Sequence, residues 1–97
     1  MMTPYLLSFD ETMVTRQQVL DHLNTLPQVL NWYALLPGSI LLVSRSPSSE
    51  LCAFINHQFP TTFIIITEIP RGNNDGWLPQ AAWDFINNPK SSGRWEQ

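Results

Sequence analysis

Asp10, near the end of the run YLLSFDE over residues 5–11, is the residue whose type and placement best suit chemistry. A carboxylate that closes an apolar stretch can end a strand by accepting backbone N–H groups from the loop that follows. It can also contribute to a metal or acid–base site, but only in company, because Mg²⁺ is held through one or two carboxylates together with water and phosphate oxygens. The sequence supplies no Gly-rich phosphate loop, HExxH, paired cysteines or GxSxG to complete such a site. A two-fold axis would complete it, since isologous association turns one Asp10 into a facing pair. A solitary Asp10 thus reads as a strand terminator, and two copies facing each other across a homodimer would make a paired-carboxylate site between subunits.

The remaining polar and aromatic groups have structural explanations. His22 and His57 fall on expected helices, where an isolated histidine is a surface or satisfied residue. Glu68 and Asp75 flank the last strand and its loop as an edge gatekeeper and a turn former. Trp32, Trp77 and Trp83 sit in or beside periodic segments and are expected to pack in the core, as is Cys52.

The elements that must position Asp10 follow from pattern. Residues 4–10 read as a first strand ending near Asp10. Thr15 and Gln18 form a capping box, with Val14 and Val19 at staple spacing, so a helix starts at Thr15; Val19, Leu20, Leu23 and Leu26 mark its apolar face, and Pro27 makes Leu26 its last or penultimate residue. VLNWYAL and SILLVS, separated by Pro37-Gly38, predict a hairpin. Ser46 followed by Pro47 suggests an N-cap and first helical position, with Leu51, Phe54 and Ile55 facing inward to about His57. Pro60 ends that helix. TTFIIITEI carries aliphatic residues at both odd and even positions, so both faces of that strand are expected to be covered. RGNNDG over 71–76 is a loop, and Pro79 introduces a short third helix with Ala82, Phe85 and Ile86 along one face.

This order is the split βαββαβ of a ferredoxin-like α+β sandwich with an additional short C-terminal helix: one antiparallel sheet over residues 1–89, with two helices on one face, followed by a flexible tail over 90–97. The fourth strand then lies at a sheet edge. Its second face has no helix of its own, so a homodimer partner or the C-terminal segment is expected to cover it.

Composition agrees with one small folded domain. The chain has 97 residues, 43% hydrophobic and only 13% charged, about half the usual charged share. Five Lys and Arg against eight Asp and Glu give a net charge of -3, which excludes a broad positive field for gathering nucleic acid. A single cysteine excludes an intrachain disulfide framework. No run reaches membrane-span length, and the opening residues lack the pattern of a signal peptide, so a cytoplasmic protein is expected.

YLLSFD, the WYALLPGSILLVS hairpin with its Ser-Pro-Ser-Ser continuation, and TTFIIITEI, taken in this order over residues 4–88, resemble the small ferredoxin-like superfamily. That superfamily contains the CRISPR-associated spacer-integration subunit, the VapD-type ribonucleases and the SinR-like proteins. GWLPQAAWDFIN is similar to the Trp-rich final segment of the SinR-like branch. The resemblance implies a homodimer with sheets facing each other. In the nuclease members it implies a metal-dependent ribonuclease or deoxyribonuclease whose Asp at the end of the first strand maps to Asp10. As an enzyme the protein would be a Mg²⁺-dependent endonuclease, RNA ahead of DNA, in which the resemblance makes Asp10 of both subunits the catalytic residue and the Mg²⁺ ligand, with Arg16 or Arg45 to hold phosphate. The alternative is a non-catalytic dimeric module that binds a protein or a nucleic acid. Ligand sensing between sheet and loops has no convergent polar cluster to support it.

Overall fold

The computed structural model describes residues 2–89; the expected tail over 90–97, with Lys90, Arg94 and Trp95, lies outside them. Seven elements occur in the expected order: β1 (Thr3–Phe9), α1 (Arg16–Leu23), β2 (Val29–Leu36), β3 (Ser39–Ser44), α2 (Ser48–Gln58), β4 (Ile64–Glu68) and α3 (Gln80–Asn87). The four strands form one sheet in the order β2-β3-β1-β4, with every neighbouring pair antiparallel. The architecture is α+β and compatible with a ferredoxin-like sandwich.

Strand alternation divides the sheet into two faces. On the first, Tyr5, Leu7 and Phe9 of β1 and Ile40 and Leu42 of β3 pack with Val19, Leu20 and Leu23 of α1 and with Leu51 and Ile55 of α2. On the second, Leu6, Leu41 and Tyr33 meet Ala82, Ile86 and Phe85 of α3. Two of the three helices thus share one face, and the third lies on the other. The C-terminal segment, not a second chain, covers the centre of the second face.

Local signals explain the element ends. The Thr15 hydroxyl accepts from the Gln18 N–H at 3.1 Å and the Gln18 side chain accepts from the Thr15 N–H at 2.9 Å, so the capping box starts α1 as expected. Helix α1 then stops at Leu23, three residues before the expected end. Pro27 disfavours a helical Leu26, and the chain leaves through a turn in which the Thr25 hydroxyl donates to the His22 carbonyl at 2.6 Å. At α2 it is Pro47, not Ser46, that occupies the N-cap position. Ser46 is held elsewhere: its N–H donates to Ser44 Oγ at 2.9 Å and its carbonyl accepts from the Tyr5 hydroxyl at 2.7 Å.

Three further expectations are corrected. Within the chain, strand β4 is covered on one face only, so the C-terminal segment does not supply the expected cover of its second face: Ile64 and Ile66 pack into the first core, whereas Ile65 is 64% exposed and Phe63, just before the strand, 84%. Helix α3 sits over β1, β2 and β3 and leaves β4 uncovered on that face. Trp77 is fully exposed, because α3 begins at Gln80 and the loop before it leaves Trp77 without a packing surface. Cys52 is only partly buried, lying beside the inward-facing Leu51 rather than on its stripe.

Leu7 sits at 0% exposure on β1, a strand paired on both sides. Leu7→Ala should therefore cost about 2–5 kcal/mol of unfolding free energy through lost burial and a residual cavity. Urea denaturation checks this; a loss below about 1 kcal/mol would mean that this position is not at the centre of the core.

Candidate functional site

Asp10 directly follows β1 and stays in register with the strand beside it. Its N–H donates to the Phe63 carbonyl at 3.1 Å, continuing the β1–β4 ladder one position beyond the Phe9–Ile64 pair. Leu6 and Ser8 face the α3 side, so alternation places the Asp10 position on that side as well. The next row back is Ile65–Ser8–Ser39–Leu36. This end of the second face lies beyond the cover of α3, and Leu36 is 53% exposed.

The carboxylate is used locally. Oδ1 accepts from the Thr12 N–H at 3.0 Å and from the Thr12 hydroxyl at 2.5 Å, and the Asp10 carbonyl accepts from the Met13 and Val14 N–H groups. This is the strand-terminating role: the side chain organises the turn that aims the chain at the α1 cap. These bonds favour the ionised form, and the Thr12 hydroxyl followed by the Thr12 N–H holds the Asp10 carboxyl below its ordinary value of 3.8.

A close backbone approach fixes the adjoining hairpin turn. The Phe9 N–H donates to the Gly38 carbonyl at 3.0 Å, and a Cβ on Gly38 would come within 3.1 Å of the Phe9 carbonyl oxygen. A side chain at position 38 would therefore crowd the Phe9 carbonyl, which would have to give by a few tenths of an ångström, and the Glu11 side chain lies beside Gly38.

The other candidates are scattered. Arg45 follows Ser44, the partner of Thr3 at the start of β1, which puts it about eight residues, or roughly 26 Å, along the sheet from Asp10. Arg71 follows the pairing of Ile69 with Pro4 and also belongs to that far end. Arg16, the first residue of α1, stays on the Asp10 side. His22 Nε2 sits 3.2 Å from the Phe54 carbonyl, and its ring meets Phe59 edge-on, so it packs between α1 and α2. Asp75 accepts from the Gly76 N–H at 2.9 Å, as a turn former does. Glu68, exposed at the end of β4, fits its gatekeeper role. A cavity of about 600 Å³ lies at the far end, between the start of β1, the end of β4 and the end of α3, with Glu68, Arg71, Ile86 and Asn88 in its lining.

Among the described residues, no group of three or more His, Cys, Asp or Glu could hold a metal ion. Asp10 thus belongs to no such group within one chain, and the paired-Asp10 site expected from the resemblance requires a second copy. Among the described residues, no helix is long and apolar enough to cross a membrane. Comparison with known proteins finds no family model, no curated protein and no solved structure that matches this chain.

What sequence reasoning missed here is the surroundings of Asp10. The uncharged run before Glu68 was visible, but the side of the strand left bare was not. Thr12→Ala should raise the Asp10 pKa toward 3.8, read by carbon NMR titration of the side-chain carboxyl. Because the folded-state value is the lower one, the stability from this turn is present above the unfolded-state value and is lost as pH falls through the folded-state value. The variant's acid unfolding below about pH 3.8 should accordingly be less steep than the wild type's. An unmoved Asp10 titration would show that Thr12 does not control it.

Proposed function

We propose that this protein is a ferredoxin-like, homodimeric binding module of the SinR-like kind, acting through association rather than catalysis. The observation that carries this reading is the bare end of the second face, where Phe63 and Ile65 stand 84% and 64% exposed. Large apolar side chains exposed two residues apart on one face of an edge segment mark an association surface rather than a solvated one. The sheet order β2-β3-β1-β4, with hairpin-linked β2 and β3 and with β1 central, supports the ferredoxin-like assignment. A further partner would be a protein in preference to a nucleic acid: the described arginines, Arg16, Arg45 and Arg71, are divided between opposite ends of the sheet and build no phosphate track.

Light scattering on the eluting protein tests the association. The wild type should run as a dimer at tens of micromolar, and Ile65→Lys should shift it to monomer without loss of fold, since Ile65 contributes little to the core. A wild type that stays monomeric at all concentrations removes the reading.

The second reading, a Mg²⁺-dependent nuclease, is favoured by one observation: Asp10 ends the central strand β1 at the exposed end of the sheet, with Arg16 on the same side. It requires two copies of Asp10 to meet. Incubation with RNA and DNA in Mg²⁺ or Mn²⁺ discriminates. The binding-module reading expects no cleavage, while cleavage abolished by Asp10→Ala would establish the nuclease in its place.

A further inference from the structure

The two edges of the sheet differ. Strand β2 carries irregularities in its pairing between Val29 and Asn31 and between Ala34 and Leu36, the kind of bulge that blunts an edge against further pairing. Strand β4 has no such break along its ladder with β1, and residues 60–67 contain no charge and no proline after Pro60. The directions of its backbone groups can be read from its partner. The Phe63 carbonyl bonds to the Asp10 N–H and the Ile69 N–H to the Pro4 carbonyl, so the odd residues 63, 65, 67 and 69 turn their backbone groups toward β1. Alternation then points the N–H and C=O groups of Ile64, Ile66 and Glu68 outward from the sheet.

We propose that a second copy of this chain pairs its β4 with this edge, antiparallel about a two-fold axis through Ile65, joining the two sheets into one of eight strands. The proposal rests on the dimer reading above and specifies its geometry. In that register Ile64 exchanges both backbone hydrogen bonds with the partner's Ile66 and the reverse, using the outward groups of both strands. Ile65 meets its own copy as a non-hydrogen-bonded pair, with Cα atoms about 4.5 Å apart. Phe63 stands beside the partner's Thr67, and Glu68 falls opposite Thr62 rather than another Glu68, so no like charges are opposed. For a chain of net charge -3, an uncharged edge is the part of the surface best suited to meeting itself.

The same geometry argues against the face-to-face dimer that the resemblance implies. Packed sheets lie about 10 Å apart, and a helix with its side chains is itself about 10 Å thick, so α3 occupies the layer that a facing sheet would need. The part of that face left open has Asp10, Ser8 and Ser39 in its middle, and two of its apolar side chains, Phe63 and Ile65, lie on the β4 side. In the joined sheet the two β1 strands are three strand spacings, or about 14 Å, apart. The two Asp10 carboxylates therefore share no site. The contact is small: two exposed Phe, two exposed Ile and a short ladder fall near or below the about 1,200 Å² at which standard interfaces begin. A dimer that dissociates on dilution is expected.

Cysteine cross-linking in a Cys52→Ser background tests this. Under mild oxidation Ile65→Cys should give a disulfide-linked dimer at least tenfold faster than Ser8→Cys, which would link first in a face-to-face arrangement. Amide exchange at Ile64 and Ile66 in the unmodified chain should slow as protein concentration rises. A dimer that links through Ser8→Cys as fast as or faster than through Ile65→Cys, or that leaves those two amides unprotected, overturns the edge geometry while the dimer reading stands. A monomer throughout overturns both.

Discussion

Strand β1 is the constraint on which the rest of the structure depends. It is hydrogen-bonded on both sides, to β3 and to β4, so its backbone groups are satisfied within the sheet and its side chains must alternate between the two faces. Tyr5, Leu7 and Phe9 commit one face to α1 and α2; Leu6 commits the other to α3. A slip of one residue would exchange these sets and expose the first core, so the register is strongly specified. The Tyr5 hydroxyl reaches the Ser46 carbonyl, so β1 also anchors the connection into α2. Burial pushes the Tyr5 phenol up from its ordinary value, with Glu68 opposite it on β4 adding to the effect, so the group stays a neutral donor.

The end of β1 converts this rigidity into a turn. Asp10 bonds to Phe63 through its own N–H and to Thr12 through its side chain, and it is followed four residues later by the buried Val14 and then by the Thr15 cap. Each step orients the next, from sheet to turn to helix. The residue with the strongest chemical promise is thus also one with a complete structural explanation. Its carboxylate is kept ionised by neutral donors rather than by a cation or a second acid. Catalytic sites commonly shift such a group the other way, by burial or by like charge.

Helix α3 sets what this fold can do with a partner. A four-stranded antiparallel sheet with helices on one face leaves its other face to be solvated, paired or covered. Here Ala82 and Ile86 seal the centre over Leu41, and at the open end Phe63 and Ile65 on the β4 side and Leu36 on the β2 side stay exposed. Surface that a facing sheet would have used is spent within the chain, and for this reason the proposed association is assigned to the edge.

Much of this was legible in the sequence because it depends on neighbours a few residues apart. The element order, the capping box at Thr15 and Gln18, the Pro37-Gly38 turn and the inward stripes of α1 and α2 all follow from local sterics, backbone hydrogen bonding and period, which the sequence carries directly. Asp10 as the end of the first strand was equally visible. The ends of helices were less so, since the early exit of α1 and the displacement of Ser46 from its cap are decided by bonds from Thr25 and from Tyr5, the latter 41 residues away. The alternation of TTFIIITEI reported that both faces are apolar, but not which one meets a helix. The same holds for Arg45, close enough in composition to serve Asp10 and placed by antiparallel pairing at the opposite end of the sheet. By itself the sequence determined the elements and their inward faces, because those are properties of short stretches. Only the tertiary structure decided that α3 covers the centre of the second face, that Phe63, Ile65 and Trp77 are left bare and that Arg45 lies at the opposite end of the sheet from Asp10, because each is set by which distant parts of the chain are brought together.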